Sequence, residues 1–268
     1  MNDLPRAKKA LGQHWLTDKP SLQAMVTSAN VQPNDAILEI GPGTGTLTDE
    51  LLAAGAKVTA LEFDLNRVRD LENRYAKYPN KPVIEPGDIR TYDFNSLPKG
   101  FKVVANIPYY LTANLLRRFV DAENKPEYAV LLVQKEVAER VAAAPGDLSQ
   151  IAVYTQLYYE VELGLLVPPH LFRPPPKVDS QILILKKRTT PIYELDATML
   201  KVIKAGFSER RKKIKTSLAG GLGVPKPEVA ALLETAAVNP DARAQELSLQ
   251  DWHKLAEAFS GKIILADH

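Results

Sequence analysis

From about residue 36 to residue 134, short apolar runs alternate with longer stretches in which apolar positions recur at helical spacing. The runs are Ala36–Ile40, Val58–Glu62, Val83–Glu85, Val103–Asn106 and Ala129–Val133. The helical stretches are Leu47–Ala54, Leu65–Ala76, Thr112–Val120 and, after the fifth run, Glu136–Ala143. Apolar runs without polar alternation predict strands buried on both faces, and helices between successive strands predict a parallel sheet. A ligand of such a sheet belongs at the carboxyl ends of its strands.

After Pro145-Gly146-Asp147 the pattern changes. Two longer β-like stretches, Val153–Val167 and Ser180–Lys187, flank the proline-rich Pro168–Pro176 and predict an antiparallel pair closing the sheet edge. From about Asp196 the period is helical, punctuated at Gly220-Gly221, Pro225, Pro227 and Pro240. The chain is therefore divided into an α/β domain over residues 1–190 and a small all-helical domain over 191–268, with a linker near Thr189-Thr190-Pro191. There is no internal repeat and no low-complexity tract.

Composition narrows the chemistry. The 268 residues are 45% hydrophobic and 25% charged, enough to bury a core without covalent staples. No cysteine is present, which excludes disulfides, thiolate metal sites and a cysteine nucleophile. The four histidines, His14, His170, His253 and His268, are far apart in sequence, so no metal is expected. The charged start Met1–Lys9 is not followed by an apolar core of signal-peptide length, and no segment reaches the roughly 20 apolar residues of a membrane span, so a cytoplasmic protein is expected. Net charge is +2 with pI near 8.5, so any affinity for nucleic acid must rest on where the basic residues lie.

Candidate chemistry gathers at the strand ends. Glu39-Ile40-Gly41-Pro42-Gly43-Thr44-Gly45 joins the first strand to a helix, and its glycines allow a sharp turn and close approach of a ligand. Glu62 ends the next strand, placed to accept from both hydroxyls of a ribose. A dehydrogenase loop would share this much, but its G-x-G-x-x-G spacing differs, and Glu39 and Pro42 suit a loop for S-adenosylmethionine. Asp88, in Gly87-Asp88-Ile89 after the third strand, is placed to accept from the cofactor's adenine amine. Glu62 or Asp88 taken singly also reads as a helix cap or turn residue. Asn106-Ile107-Pro108-Tyr109-Tyr110 follows the fourth strand. An Asn side-chain carbonyl and the carbonyl before a proline accept the two N–H bonds of an exocyclic amine, while a Tyr supplies a stacking face. The string proposes methylation of a nucleobase amine; in isolation it also reads as a turn that ends a strand.

These residues lie within a longer ordered set: Leu11–Asp18 (LGQHWLTD), the glycine loop, Gly87-Asp88, Asn106–Tyr110, Val133–Arg140 (VQKEVAER), Phe172–Ser180 (FRPPPKVDS) and Phe207–Lys213 (FSERRKK). The set resembles the ribosomal RNA adenine N6,N6-dimethyltransferases of the KsgA (RsmA) type, whose relatives include the Erm methylases. The resemblance covers almost the whole chain. It implies a Rossmann-like class I methyltransferase fold with a mostly parallel seven-stranded sheet and a small C-terminal helical domain. It further implies S-adenosylmethionine as donor, S-adenosylhomocysteine as product, no metal, and cofactor contacts at His14, Leu16, Gly41, Gly43, Glu62, Asp88 and Asn106. Asn106, Pro108 and Tyr109 would hold the target base, with Phe172 on its other face or, alternatively, in the core. His14-Trp15 departs from the family's usual Asn-Phe and is expected to alter detail without loss of activity.

Basic residues at Lys8-Lys9, Arg117-Arg118, Lys186–Arg188 and above all Lys201, Lys204, Arg210, Arg211, Lys212, Lys213 and Lys215 suggest phosphate binding. Glu209 is the only acid within the last cluster, which otherwise reads as a solvated helix face. The resemblance, with its FRPPPKVDS and FSERRKK strings, implies as substrate a pair of adjacent adenosines in the 3′-terminal hairpin loop of small-subunit (16S) rRNA, within an immature 30S subunit, acted on by a monomer. Erm-like methylation of large-subunit rRNA, a ribosome-assembly factor with secondary catalysis, and a DNA adenine methylase are the competing expectations.

Overall fold

The computed structural model describes residues 12–263, and these divide into two compact units. The first comprises residues up to Glu139 together with Glu160–Lys187. Its centre is a seven-stranded sheet of β2 (Ala36–Ile40), β3 (Lys57–Glu62), β4 (Val83–Pro86), β5 (Lys102–Asn106), β6 (Tyr128–Gln134), β7 (Tyr159–Val167) and β9 (Ser180–Lys187), ordered β4-β3-β2-β5-β6-β9-β7. The pairs from β4 through β6 are parallel, and β9 runs antiparallel to β6. Five strands thus end at one edge, where the register aligns Ile40 with Leu61, Glu62 with Pro86 and Asn106 with Leu132.

The unbroken apolar runs are explained by burial on both faces: Leu38, Val103, Val104, Ala105, Val130 and Leu131 have no exposed surface. One face packs on α1 (Lys19–Ser28) and α2 (Thr46–Ala53) through Leu22, Met25, Leu47 and Leu51. Helix α1 starts where Asp18 accepts from the Ser21 N–H, followed by Pro20 in the first turn. The remaining helices of this unit are α3 (Leu65–Tyr75), α4 (Thr112–Asp121) and α5 (Lys135–Val141), the last running into the second unit. A short strand β1 (Trp15–Leu16) pairs antiparallel with β8 (Phe172–Arg173), so Trp15 faces Arg173 and Leu16 faces Phe172.

The second unit comprises Arg140–Tyr159 and the chain from Arg188 onward. It holds α6 (Gln150–Tyr158), α7 (Ala197–Phe207), α8 (Ile214–Leu222), α9 (Lys226–Thr235) and α10 (Leu249–Phe259). Trp252, fully buried on α10, stacks on Phe207 with ring centroids 5.3 Å apart.

Two features differ from the sequence expectation. Val153–Val167 is not one strand: its first part lies in α6, because Ser149 caps the Ala152 N–H, and only Tyr159–Val167 is extended. Ala152, Val153, Tyr154, Thr155, Leu157 and Tyr158 are all buried. A helix buried on most sides shows no polar face, so its sequence mimics a buried strand. Consequently Arg140–Tyr159, expected within residues 1–190, groups with the C-terminal helices, and the later break falls at Lys187/Arg188. Among the described residues no helix is long and apolar enough to cross a membrane.

Candidate active site

The carboxyl edge of the parallel strands opens into a cleft. Its lining includes His14, Leu16, Glu39, Gly41, Glu62, Asp88, Asn106, Pro108 and Tyr109, so most of the predicted site residues are brought together. The loop after β2 forms its floor. Gly41, Gly43 and Gly45 have φ of +67°, +58° and +83°, a region that side-chain-bearing residues avoid. A Cβ on Gly41 would meet nothing within 4 Å, so this glycine leaves an open cradle. A Cβ on Gly43 would lie 2.3 Å from the Trp15 ring, so that glycine is required by packing as well as by φ. Gly43 lies beneath Trp15 and is absent from the cleft wall.

Glu62 fastens the loop. Its Oε2 accepts from the Gly43 N–H at 3.2 Å and its Oε1 from the Asp64 N–H at 2.8 Å. Burial raises its pKa. Two backbone donors hold the carboxylate at the cleft wall, and each oxygen keeps a further lone pair, the arrangement that suits a vicinal diol. The open cradle at Gly41 and this doubly anchored acid fit the ribose and amino-acid portions of S-adenosylmethionine. Asp88 also faces the cleft, but both its oxygens accept from Arg90, at 2.9 and 3.1 Å to Nε and 2.6 Å to Nη2. That guanidinium holds the Asp88 carboxyl below its ordinary pKa. An amine donor at Asp88 must share it with Arg90, a side chain the sequence reading did not include.

Asn106 ends β5 with its Nδ2 donating to the His14 carbonyl at 3.0 Å. Because that carbonyl can only accept, the amide orientation is determined and Oδ1 is left for an external donor. The His14 ring is held separately: Nδ1–H donates to the Pro174 carbonyl at 2.8 Å, and the ring lies 6.0 Å from that of Tyr109 at an interplanar angle of 18°. Tyr109 is anchored through its hydroxyl to Ser180 Oγ at 2.8 Å, with burial raising its pKa. Tyr110, by contrast, is 63% exposed at the cleft.

Phe172 corrects an expectation. It is 2% exposed, packs in the core with Leu16 and Leu22, and does not line the cleft, because pairing of β8 with β1 turns its ring inward. The basic residues also divide. Arg210, Arg211 and Lys212 are exposed, whereas Lys213 and Lys215 both pair with Asp241, at 3.1 and 2.9 Å. Asp241 is remote in sequence, so the cluster's second acid was not legible from its neighbours. Arg118 donates to the Ile89 and Tyr92 carbonyls and lies over Phe94, and Arg117 pairs with Asp121. Lys186 and Lys187 pair with Glu160 and Glu127. Lys8 and Lys9 lie outside the described residues.

Phe63 went unassigned in the sequence, and Glu39 was read only as part of the loop for S-adenosylmethionine. Phe63 is 57% exposed immediately after Glu62, and an exposed aromatic at a strand-end acid was the signal available. Glu39, 1% exposed, accepts from Thr48 Oγ1 at 2.6 Å. Burial, reinforced by the nearby Asp49 and Glu62 charges, pushes its carboxyl up to about 8, so it is largely protonated at neutral pH.

A Rossmann-like sheet whose strand ends carry a glycine loop, a buried acid and an Asn-Ile-Pro-Tyr string at one cleft has the architecture of a class I S-adenosylmethionine-dependent methyltransferase. The comparisons with known proteins narrow the class. Residues 5–260 match the family described as Ribosomal RNA adenine dimethylase. The "Ribosomal RNA small subunit methyltransferase A" of Dehalococcoides mccartyi is 38% identical over 260 residues, 96% of this chain and 89% of that protein. Among solved structures, a dimethyladenosine transferase from Plasmodium falciparum superposes with a TM-score of 0.79 at 28% identity, covering 92% of this chain and 98% of that one. The 23S rRNA methyltransferase ErmE gives 0.71 at 28% identity, covering 92% and 99%. The chain belongs to the ribosomal RNA adenine dimethylase family and is an S-adenosylmethionine-dependent rRNA adenine dimethyltransferase.

The buried Glu39 makes stability depend on pH. Its folded pKa of about 8 lies above the ordinary 4.5, so its contribution is complete below pH 4.5 and is lost as pH rises through about 8. Melting curves from pH 5 to 9 are expected to show Glu39→Gln gaining on the wild type as pH rises, levelling off above about pH 8. A constant difference across that range contradicts a buried, protonated Glu39.

Proposed function

We propose that the enzyme transfers methyl groups from S-adenosylmethionine to the N6 amines of two adjacent adenosines in the 3′-terminal hairpin loop of small-subunit (16S) rRNA. It would act in the cytoplasm, as a monomer, on an immature small subunit. The observation that carries this reading is the fixed orientation of Asn106, whose Oδ1 is free to take an amine hydrogen because Nδ2 is bound to His14.

The donor, when bound, supplies a methyl group on a sulfonium carbon whose leaving group is already activated by charge. The chain supplies position. An adenine amine is a poor nucleophile while its lone pair is delocalised into the ring. Acceptance of one N–H by Asn106 Oδ1 and of the other by the Ile107 carbonyl draws the nitrogen toward a tetrahedral shape. Tyr109, with its hydroxyl tied to Ser180, offers a rigid face for the base and for the positive charge developing on nitrogen. As the N–C bond forms the donor's S–C bond would break, leaving a neutral thioether, and the cationic, acidic nitrogen would give up its proton to water. The monomethyl product retains one N–H and its nucleophilicity, so one of the two acceptors holds it for a second transfer. His14, Leu16, Gly41, Gly43, Glu62 and Asp88 hold the donor in this reading, directly or by shaping the loop.

A base must leave its stack to enter the cleft, so an unpaired loop is the natural target. In the helical unit, exposed Arg210, Arg211 and Lys212 would carry the phosphate contacts, with Lys213 and Lys215 contributing less because Asp241 already neutralises part of their charge. The small-subunit name of the Dehalococcoides relative, at 38% identity, supports this target over the large-subunit target named for ErmE at 28%.

Asn106→Ala is expected to lower methyl transfer at least ~100-fold with small-subunit binding retained, as measured by separate transfer and binding assays. Transfer within a few-fold of wild type contradicts the clamp. Reversing Arg211 and Lys212 to Glu is expected to weaken RNA binding and flatten its salt dependence while donor affinity stays unchanged. RNA affinity equal to wild type removes these residues from the interface.

A further inference from the structure

The glycine loop is fastened at three points. At its start the Gly41 N–H donates to the Leu61 carbonyl at 2.9 Å, and at its middle the Gly43 N–H donates to Glu62. The third fastening comes from behind, through a residue that does not line the cleft. Tyr75, the last residue of α3, is 1% exposed and directs its hydroxyl at the Gly45 carbonyl at 2.9 Å and at Asp49 Oδ1 at 2.7 Å.

These contacts come together at one oxygen. A phenol has a single hydrogen, so the Gly45 carbonyl and the Asp49 carboxylate share it. The Gly45 carbonyl also accepts the first hydrogen bond of α2, from the Asp49 N–H at 2.9 Å. Gly45 is thereby held by the helix on one lone pair and by Tyr75 on the other. Asp49 is itself held by the Arg74 guanidinium, whose side chain is 41% exposed, so the line of contacts runs from the loop to the surface. The fit is close: a Cβ on Gly45 would lie 2.5 Å from the Tyr75 oxygen. Burial and the Asp49 carboxylate keep the phenol in its protonated, donating form.

We propose that Tyr75 is a positioning residue for methyl-donor binding, holding Gly45 and the start of α2 from behind so that the loop from Gly41 to Gly45 keeps its cleft-facing shape. The proposal rests on the reading of this loop as the donor site. Tyr75 touches neither donor nor target base, so its effect falls on donor affinity and leaves base capture alone. Arg74 and Asp49 act through Tyr75 and move the same quantity by less.

The test is the equilibrium affinity of the purified full chain for S-adenosylhomocysteine, measured by calorimetry, alongside steady-state transfer to unmethylated small subunits. For Tyr75→Phe the expected result is a dissociation constant raised about fivefold, the scale of one lost hydrogen bond. KM for the donor should rise in parallel, kcat at saturating donor should stay within about twofold, and RNA affinity should not move. A purely structural role would lower the melting temperature and the active fraction, leaving the dissociation constant of the folded protein as in wild type; that result overturns the proposal. Arg74→Met, at a partly exposed position, carries the same test if Tyr75→Phe does not fold: a dissociation constant raised about twofold supports the proposal, and wild-type affinity overturns it. Glu62→Ala separates the two levels. If it abolishes binding while the Tyr75 and Arg74 variants bind as wild type, only the positioning role fails. If Glu62→Ala binds as tightly as wild type, the donor-site reading fails and takes the proposal with it.

Discussion

The hydrogen bond from Asn106 Nδ2 to the His14 carbonyl is the contact on which the candidate chemistry depends. A primary amide has a donor end and an acceptor end, and only the acceptor end is useful for holding an amine. Engaging the donor end on a main-chain carbonyl settles which way the amide points before any substrate arrives. That carbonyl is itself immobilised. The segment around it pairs as β1 with β8, Thr46 Oγ1 donates to the adjacent Leu16 carbonyl at 3.0 Å, and the His14 ring is tied to Pro174. The Asn106 partner is a backbone atom, so the exchange of the usual Asn-Phe for His14-Trp15 leaves this contact available. Trp15 meanwhile covers Gly43, which links the clamp segment to the glycine loop.

Around that contact the parallel sheet does the work of convergence. Glu39, Glu62, Asp88 and Asn106 lie far apart in sequence, yet the ends of β2, β3, β4 and β5 bring them to one edge. Each is then oriented locally: Glu39 by Thr48, Glu62 by two backbone N–H groups, Asp88 by Arg90 and Asn106 by His14. Preorganisation of this kind means that little needs to be reordered when the transition state forms. Burial of the two glutamates makes the floor of the cleft less negative than its composition suggests, since Glu39 carries a proton near neutral pH.

Much of this was legible in the sequence where one physical signal dominated. The central strands β2, β5 and β6 announce themselves because burial on both faces leaves few polar positions, whereas the edge strand β4 is partly exposed and shows only as a short apolar run. The strand-end acids and the Asn-Ile-Pro-Tyr string stand out because each follows such a run. The signal failed where two environments give the same pattern. Gln150–Tyr158, a helix buried on most of its surface, has the composition of a strand, and only the Ser149 cap distinguishes it. Phe172 reads first as a ring over the cleft, with the core as the alternative, and its burial opposite Leu16 decides for the core. Asp241 beside Lys213 and Lys215, Arg90 on Asp88, and Tyr75 behind Gly45 are products of folding with no local motif to betray them.

Family membership and cleft geometry together define an adenine-amine methyltransferase; the choice of RNA is the claim most exposed to experiment. The direct measurement is to incubate the full chain with labelled S-adenosylmethionine and, separately, unmethylated small subunits and large-subunit rRNA, then digest the RNA and map the modified nucleosides. The predicted result is N6,N6-dimethyladenosine at two adjacent positions in the terminal hairpin of the small-subunit rRNA. Label confined to an adenosine of the large-subunit RNA would contradict it.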